Sequence, residues 1–265
     1  MLRMIVPVKQ VPETKSVKMD EATGTVIRQG VESIINPLDL YAIEAAIVLK
    51  EQYGGEITVV SMGPPQAADA IREAIAMGAD KGILVSDKAY AGSDTWATAC
   101  ILAEAIKRCG GYDLIICGER ATDGDTGQVG PEIASYLKLP AATYINHIEA
   151  VSDTECRLGR MVETGTEKLT MKLPGLLTVV KEVSNPRLPT LRGKLKAKKQ
   201  EIPVYNQEVL QLEPNIIGLR GSPTRVVKIF KPKVGRECRM VQAGDDKQIA
   251  GAVGELMKFL KEVSA

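Results

Sequence analysis

The feature that most restricts this chain is an alternation of two hydrophobic periods along its first half. Short, continuous, β-branched runs occur at Met4-Ile-Val-Pro-Val8, Ile57-Thr-Val-Val-Ser-Met62, Gly82-Ile-Leu-Val-Ser86 and Leu114-Ile-Ile-Cys-Gly118. Runs of this kind suit strands buried on both faces. Between them lie stretches with helical spacing. Leu40, Ile43 and Ile47 share one face, and Ile71, Ala74 and Ile75 another, with Asp69, Arg72 and Glu73 turned outward. Ile101, Leu102 and Ala105 make a third face, and Val129, Ile133 and Leu137 a fourth. A β–α alternation predicts a parallel sheet with right-handed crossovers and helices on both sides.

After Pro140 the pattern changes. Segments near 142–151, 155–163 and 167–180 read as antiparallel strands, with turn signals at Ser152-Asp153 and Thr164-Gly165. Ser184-Asn-Pro-Arg-Leu-Pro-Thr-Leu-Arg-Gly193 has neither period and reads as an exposed loop, followed by Lys194, Lys196, Lys198 and Lys199. Residues 214–235 carry Pro214, Pro223 and Pro232 and predict an extended arm; Ile249, Val253, Leu256 and Leu260 then share one helix face. The expected fold is α/β: an open, mainly parallel, doubly wound, Rossmann-like sheet with an added antiparallel strand layer. The expected organisation is an α/β domain over 1–213, with the loop 184–193, and a C-terminal arm and helix over 214–265.

Composition removes several functions. Lys+Arg 34 against Asp+Glu 33 leaves a net charge of +1, so no global field draws in nucleic acid or an anionic membrane. Aromatic residues are only 4%, too few for a base-stacking platform. No apolar run reaches the ~18 residues of a membrane span. Met1 to Val8 is too short for a secretory h-region and meets Lys9 at once. The five cysteines, Cys100, Cys109, Cys117, Cys156 and Cys238, lack disulfide-framework, zinc and iron–sulfur spacing, which reads as a cytoplasmic chain with reduced thiols. The single histidine, His147, has no nucleophile elbow beside it and reads as a strand residue. The carboxylates Asp87, Asp94, Glu119, Asp123 and Asp125 lie in loops with other uses, and no metal is expected.

Open parallel sheets bind ligands beyond the carboxyl ends of their strands. Lys9-Gln-Val-Pro12 follows the first strand, and Met62-Gly-Pro-Pro65 the second. After the third, Gly92-Ser-Asp-Thr95 opens a helix, with Ser93 or Asp94 as its cap. After the fourth comes Gly118-Glu-Arg-Ala-Thr-Asp-Gly-Asp-Thr-Gly-Gln-Val129, then Gly130-Pro131. Asn36-Pro-Leu-Asp39 opens the first helix, with Asn as cap and Pro at its first position. A helix start offers free N–H groups and a positive dipole end, which suits phosphate. The reading is a nucleotide crevice, built without a G-x-G-x-x-G fingerprint or a phosphate-loop lysine. An ATP-binding, hydrolase-like module remains open on the α/β pattern alone.

Val6-Pro-Val-Lys9, Asn36-Pro37, Ser61-Met-Gly-Pro64, Ala76-Met-Gly-Ala-Asp80, Gly118 to Val129 and Leu173-Pro-Gly-Leu-Leu-Thr178 form a set of landmarks. Asn185-Pro-Arg187, Thr190-Leu191 and Lys196-Ala-Lys-Lys199 complete it. In these the chain resembles, from end to end, the beta subunit of electron-transfer flavoproteins. The resemblance implies an alpha/beta heterodimer in which the beta subunit ordinarily holds AMP. It implies a nucleotide site at Pro7, Val8, Lys9, Asn36, Asp39, Met62, Cys117, Gly118 and Glu119. The site continues through Asp123, Gly124, Asp125, Thr126, Gly127, Gln128 and Val129.

Gly92-Ser-Asp-Thr-Trp-Ala-Thr98 departs from the ordinary pattern and looks like the flavin-binding segment of bifurcating members. Ser93, Asp94, Thr95 and Thr98 would then hold the part of FAD that extends past its AMP half. The resemblance implies FAD, or AMP in an ordinary member, and NADH as hydride donor. Electrons would divide between ferredoxin or flavodoxin and the alpha-subunit FAD. The loop 184–193 would dock a flavin dehydrogenase, with Leu191 as apolar anchor and Pro189 stiffening it. The arm after 214 would pack on the alpha subunit.

Overall fold

The structure, a computed structural model, describes residues 1–13, 18–19, 26–27, 33–227, 240 and 244–263. One compact unit covers Met1–Val227 and a second covers Lys228–Ala265. The first unit begins with β1 (Leu2–Val8), β2 (Gln10–Pro12), the short pair β3 (Lys18–Met19) and β4 (Val26–Ile27), and β5 (Ser33–Ile35). Then come α1 (Asp39–Tyr53), β6 (Gly55–Met62), α2 (Ala68–Met77), β7 (Lys81–Val85), α3 (Thr95–Lys107), β8 (Leu114–Gly118) and α4 (Val129–Leu137). β9 (Ala141–Val151), β10 (Glu155–Val162), β11 (Gly165–Lys172) and β12 (Gly175–Val179) follow, then α5 (Leu191–Lys199), β13 (Val204–Tyr205), α6 (Gln207–Leu210) and α7 (Gly218–Gly221). The second unit contains α8 (Asp246–Val263).

Nine strands form one sheet in the order β11-β10-β9-β12-β8-β1-β6-β7-β13. From β9 to β13 every neighbouring pair is parallel; β10 and β11 add an antiparallel edge. The chain runs outward from β1 through β6 to β7, then returns to place β8 on the other side of β1. The strand order therefore reverses between β1 and β8, the switch point where an open α/β sheet leaves a crevice.

The core has two layers, one on each sheet face. Met4, Val6, Ile57 and Val59 point toward α1 and α2, where they meet Ile43, Ile47, Ile71 and Ile75. Ile5, Val60, Ile115 and Leu176 point the other way, toward Ile101, Ile106 and Ile133 of α3 and α4. Alternate residues of one strand thus enter opposite layers, which is why these strands read as continuous apolar runs. Closest approach occurs where α2 crosses β7. A Cβ on Gly82 would stand 2.0 Å from Cγ2 of Ile71.

The expected antiparallel strands are present and widen one edge of the same sheet. Two expectations are corrected at the level of elements. The run 167–180 is two strands, because Pro174 breaks it, and β12 then inserts parallel between β9 and β8. The loop expected over 184–193 ends at Thr190, whose hydroxyl accepts the Gly193 N–H at 2.9 Å and starts α5 at Leu191. The lysine cluster is the remainder of that helix. In the expected arm, residues 214–227 belong to the first compact unit and include α7, while residues 228–235 lie outside the described residues. Cys238 lies outside them as well. Among the described residues no helix is long and apolar enough to cross a membrane.

The Gly82 contact makes a cycle that tests this packing. Gly82→Ala is expected to cost about 1–3 kcal/mol through overpacking. In an Ile71→Ala background, itself costing about 2–5 kcal/mol, the same change should cost far less. Equal costs in both backgrounds, measured by urea denaturation, would show that α2 does not press on β7 in this way.

Candidate functional site

The crevice at the switch point is closed at its base by one buried carboxylate. Asp39 begins α1 and is 6% exposed. Its Oδ2 accepts the backbone N–H of Lys9, the first residue past β1, at 2.8 Å. Its Oδ1 accepts from Nδ2 of Asn36 at 2.9 Å. The same Asn36 amide donates to the carbonyl of Arg120 at 2.9 Å, and its Oδ1 accepts the N–H of Thr122 at 3.2 Å. Two side chains therefore tie the end of β1, the start of α1 and the loop after β8 together. Asn36 is not the expected helix cap; α1 starts three residues later, and the Asn36 side chain is spent on the loop.

Gly118 is required at this contact. A Cβ there would lie 2.4 Å from Oδ1 of Asp39 and 2.9 Å from the backbone of Leu38. Beyond it the loop turns through positive φ at Asp125 (55°) and Gly127 (63°). Lys9 reaches across the crevice to Asp123, Nζ to Oδ1 at 2.7 Å, and Arg120 pairs with Asp125 at 2.9 Å and with Glu119 at 3.3 Å. The loop carboxylates are thus held by cations of the chain. Among the described residues no group of three His, Cys, Asp or Glu side chains could hold a metal.

The start of α3 stands beside the start of α4. Oγ1 of Thr95 lies 3.2 Å from Oε1 of Gln128 and 3.1 Å from Oε1 of Glu132. Asp94 caps α3, its Oδ1 accepting the Ala97 N–H at 3.0 Å, and its carbonyl accepts the N–H of Thr98. The N–H groups of Thr95 and Trp96 have no acceptor within the helix, as at any helix start. At α4 the first-turn donors are Val129 and Gly130, since Pro131 has no N–H. The donor set is backbone amides, threonine hydroxyls and one carboxamide, which suits a phosphate joined to a polyol.

The structure brings Lys9, Asn36, Asp39, the loop 118–129, Asp94 and Thr95 to one end of the sheet. Other expected residues differ in how far they are exposed. Pro7 and Val8 are buried in β1, and Cys117 lies in the core under α4, where burial pushes its thiol up. Met62 is half-buried at the end of β6, and Thr98 is half-buried one turn into α3. Ser93 and Asp94 are engaged by their own chain. Ser93 Oγ accepts the Gly218 N–H at 3.0 Å, and Asp94 Oδ2 accepts the N–H and hydroxyl of Thr224 at 2.8 and 2.7 Å.

Two residues at this end escaped the sequence reading: Glu132 and Thr224. Glu132 shows as an acidic first-turn residue of α4, but its neighbour Thr95 comes from a different helix. Thr224 is 130 residues from Asp94 and carries no local signal. A cavity of 620 Å³ opens elsewhere, between residues 138–142 and 169–174, at the amino ends of β9 and β12. That is the end away from the crevice.

A second surface lies outside α1. Arg187 donates through Nε and Nη2 to Glu44, at 3.0 and 2.9 Å, and through Nη1 to Glu51 at 2.6 Å. Glu44 is buried, so this fork anchors the loop firmly. Leu188 and Leu191 then project, 87% and 76% exposed, with Pro189 between them. Leu188 is as exposed as the expected anchor and was not anticipated.

Fold and crevice together define an open doubly wound α/β protein of the nucleotide-binding, Rossmann-like class. Over residues 23–210 the chain matches the family described as Electron transfer flavoprotein domain. It is 43% identical to the caffeyl-CoA reductase-Etf complex subunit CarD of Acetobacterium woodii, across 97% of this chain and 98% of that one. It is 46% identical to the electron transfer flavoprotein subunit beta of Thermoanaerobacterium thermosaccharolyticum, across 89% and 90%. It is 40% identical to the acryloyl-CoA reductase electron transfer subunit gamma of Anaerotignum propionicum, across 97% and 98%. The chain belongs to the electron transfer flavoprotein family, among its beta subunits.

Burial pushes the Asp39 carboxyl up to about 7; the hydrogen bonds from Lys9 and Asn36 and the Lys9 charge only partly offset it. A carboxyl raised from about 3.9 in the unfolded chain favours the fold while protonated. That contribution is complete below about pH 4 and is lost as pH rises through about 7, a change on the order of 4 kcal/mol. Asp39→Asn should be less stable than wild type at pH 5, and the gap should narrow by pH 8. Denaturation midpoints showing a constant gap would reject the raised value.

Proposed function

We propose that this chain is the beta subunit of an electron transfer flavoprotein that holds FAD across the switch-point crevice and pairs with an alpha subunit. The observation that carries the reading is the contact of Thr95 with Gln128 and Glu132, which makes the start of α3 continuous with the loop 118–129. An AMP site needs only the half built from Lys9, Asn36, Asp39 and residues 118–129. A second helix start with free amides beside it matches the longer FAD chain. When bound, FAD supplies hydride acceptance from NADH and one-electron transfer, both to the alpha-subunit FAD and to a low-potential acceptor such as ferredoxin or flavodoxin.

In this reading the residues have distinct parts. Amides of Thr95, Trp96, Val129 and Gly130 bind phosphate, and the hydroxyls of Thr95, Thr98 and Thr126 take the polyol. Gly118 keeps the crevice floor clear of a side chain. Lys9 holds Asp123, which would otherwise repel the phosphates. Leu188 and Leu191 dock a partner flavin dehydrogenase, presented by the Arg187 fork. α8 packs on the alpha subunit: Ile249, Val253, Leu256 and Leu260 are all about half exposed, an apolar stripe suited to a partner. The second reading is an ordinary member with AMP in the first half of the crevice. It is favoured by Ser93 and Asp94, whose side chains already bond to residues 218–224.

Nucleotide extraction from the purified heterodimer separates the two. The FAD reading expects two FAD per pair and no AMP; one FAD and one AMP would select the second. For docking, Leu188→Ala and Leu191→Ala should each weaken electron delivery to the dehydrogenase, raising its KM by about tenfold. Delivery unchanged in both variants removes the docking role.

A further inference from the structure

The segment 218–224 folds back onto the start of α3 and bonds to it through Gly218, Ser222 and Thr224. Ser222 Oγ accepts the N–H of Asp94 at 2.8 Å and donates to the Gly218 carbonyl at 2.7 Å. Gly218 N–H donates to Ser93 Oγ, which itself donates to the Tyr90 carbonyl at 2.8 Å. Thr224 gives both its donors to Asp94 Oδ2, while Oδ1 of the same carboxylate caps Ala97. Leu219 lies over Gly92. Burial alone would raise the Asp94 carboxyl, but the hydrogen bonds from Ala97, Thr224 and Ser222 outweigh it and hold the group below the ordinary carboxylate range.

We propose that Ser222 and Thr224 form a latch that positions the first turn of α3 for the nucleotide, so that crevice occupancy and closure of segment 218–224 reinforce each other. The inference rests on the crevice holding FAD, whose chain in the proposed function reaches past the AMP half to the first turn of α3. The free amides of Thr95 and Trp96 belong to the turn whose cap, Asp94, the latch holds. With the latch open, Asp94 loses three of its donors or acceptors and the turn frays. A frayed turn cannot aim its amides, so ligand binds the latched state better, and by linkage ligand must close the latch by the same factor. The latch also adds two Thr224 donors to the Asp94 carboxylate beside its Ala97 cap, which reduces its repulsion of a phosphate nearby. Ser222 and Thr224 are thus positioning residues, acting through Asp94.

Asp94→Asn separates latch from cap. Asn still caps Ala97 through its oxygen, but its NH2 faces the Thr224 N–H and cannot accept it. Thr224→Val removes the hydroxyl with little change of shape. The test uses the full-length chain co-purified with its partner subunit. Hydrogen exchange is read over residues 218–227, and added FAD and added AMP are titrated by the fluorescence of Trp96, the single tryptophan of the chain. Both variants should exchange faster over 218–227 and bind FAD about fivefold to tenfold more weakly, with AMP affinity unchanged. FAD should slow exchange there in wild type by the same factor. Unchanged exchange in Asp94→Asn overturns the latch. Faster exchange with unchanged FAD affinity overturns the coupling. Failure of FAD to bind wild type would instead defeat the FAD reading of the crevice, and the exchange result would still decide the latch.

Discussion

One buried carboxylate organises the crevice end of this molecule. Asp39 accepts the backbone N–H of Lys9, just past the end of β1, and a side-chain N–H from Asn36, in the turn that leads to it. Because Asn36 also grips the Arg120 carbonyl, the loop after β8 is fixed to the end of β1 although 84 residues separate Asn36 from Arg120. A carboxyl in this position is costly to ionise. Its partners are rigid backbone and a short amide, so little entropy is spent in holding the arrangement. The absence of a Cβ at Gly118 is what lets the end of β8 and the start of α1 approach so closely.

The rest of the architecture places this contact where it can serve a ligand. Strand order reverses between β1 and β8, so α1 covers one sheet face and α3 and α4 the other. Helix starts from both faces therefore meet at the carboxyl ends of the strands. The positive ends of their dipoles add there, while Lys9 and Arg120 neutralise the loop carboxylates. The donors left at this end are backbone amides and hydroxyls, the set on which the proposed cofactor reading rests.

The outer surfaces follow a different logic. The Arg187 fork fastens a proline-bounded loop to α1 and leaves two leucines in water. A rigid presentation lowers the ordering cost of an encounter with another protein. The stripe on α8 is longer and lacks any cover within the described second unit, which suits a permanent rather than a passing contact.

Much of this was legible in the residues. The β-branched runs and the helical spacing of Ile71, Ala74 and Ile75 determine the parallel sheet, because only strands buried on both faces can be apolar at every position. Gly118, Asn36 and Asp94 were visible as special positions through their chemistry. What they do was not. Asn36 reads as a cap but bridges to a distant loop, and Asp94 caps as expected yet also holds Thr224. Leu173-Pro-Gly175 reads as the middle of a strand, but its turn sends β12 into the heart of the sheet. These are outcomes of long-range pairing. Local propensity and period are set by neighbours within a few residues, so the chain alone determines its elements and their buried faces. Which strand lies beside which, and which side chains meet across 84 or 130 residues, is decided only when tertiary packing selects one arrangement that satisfies every buried donor and acceptor at once.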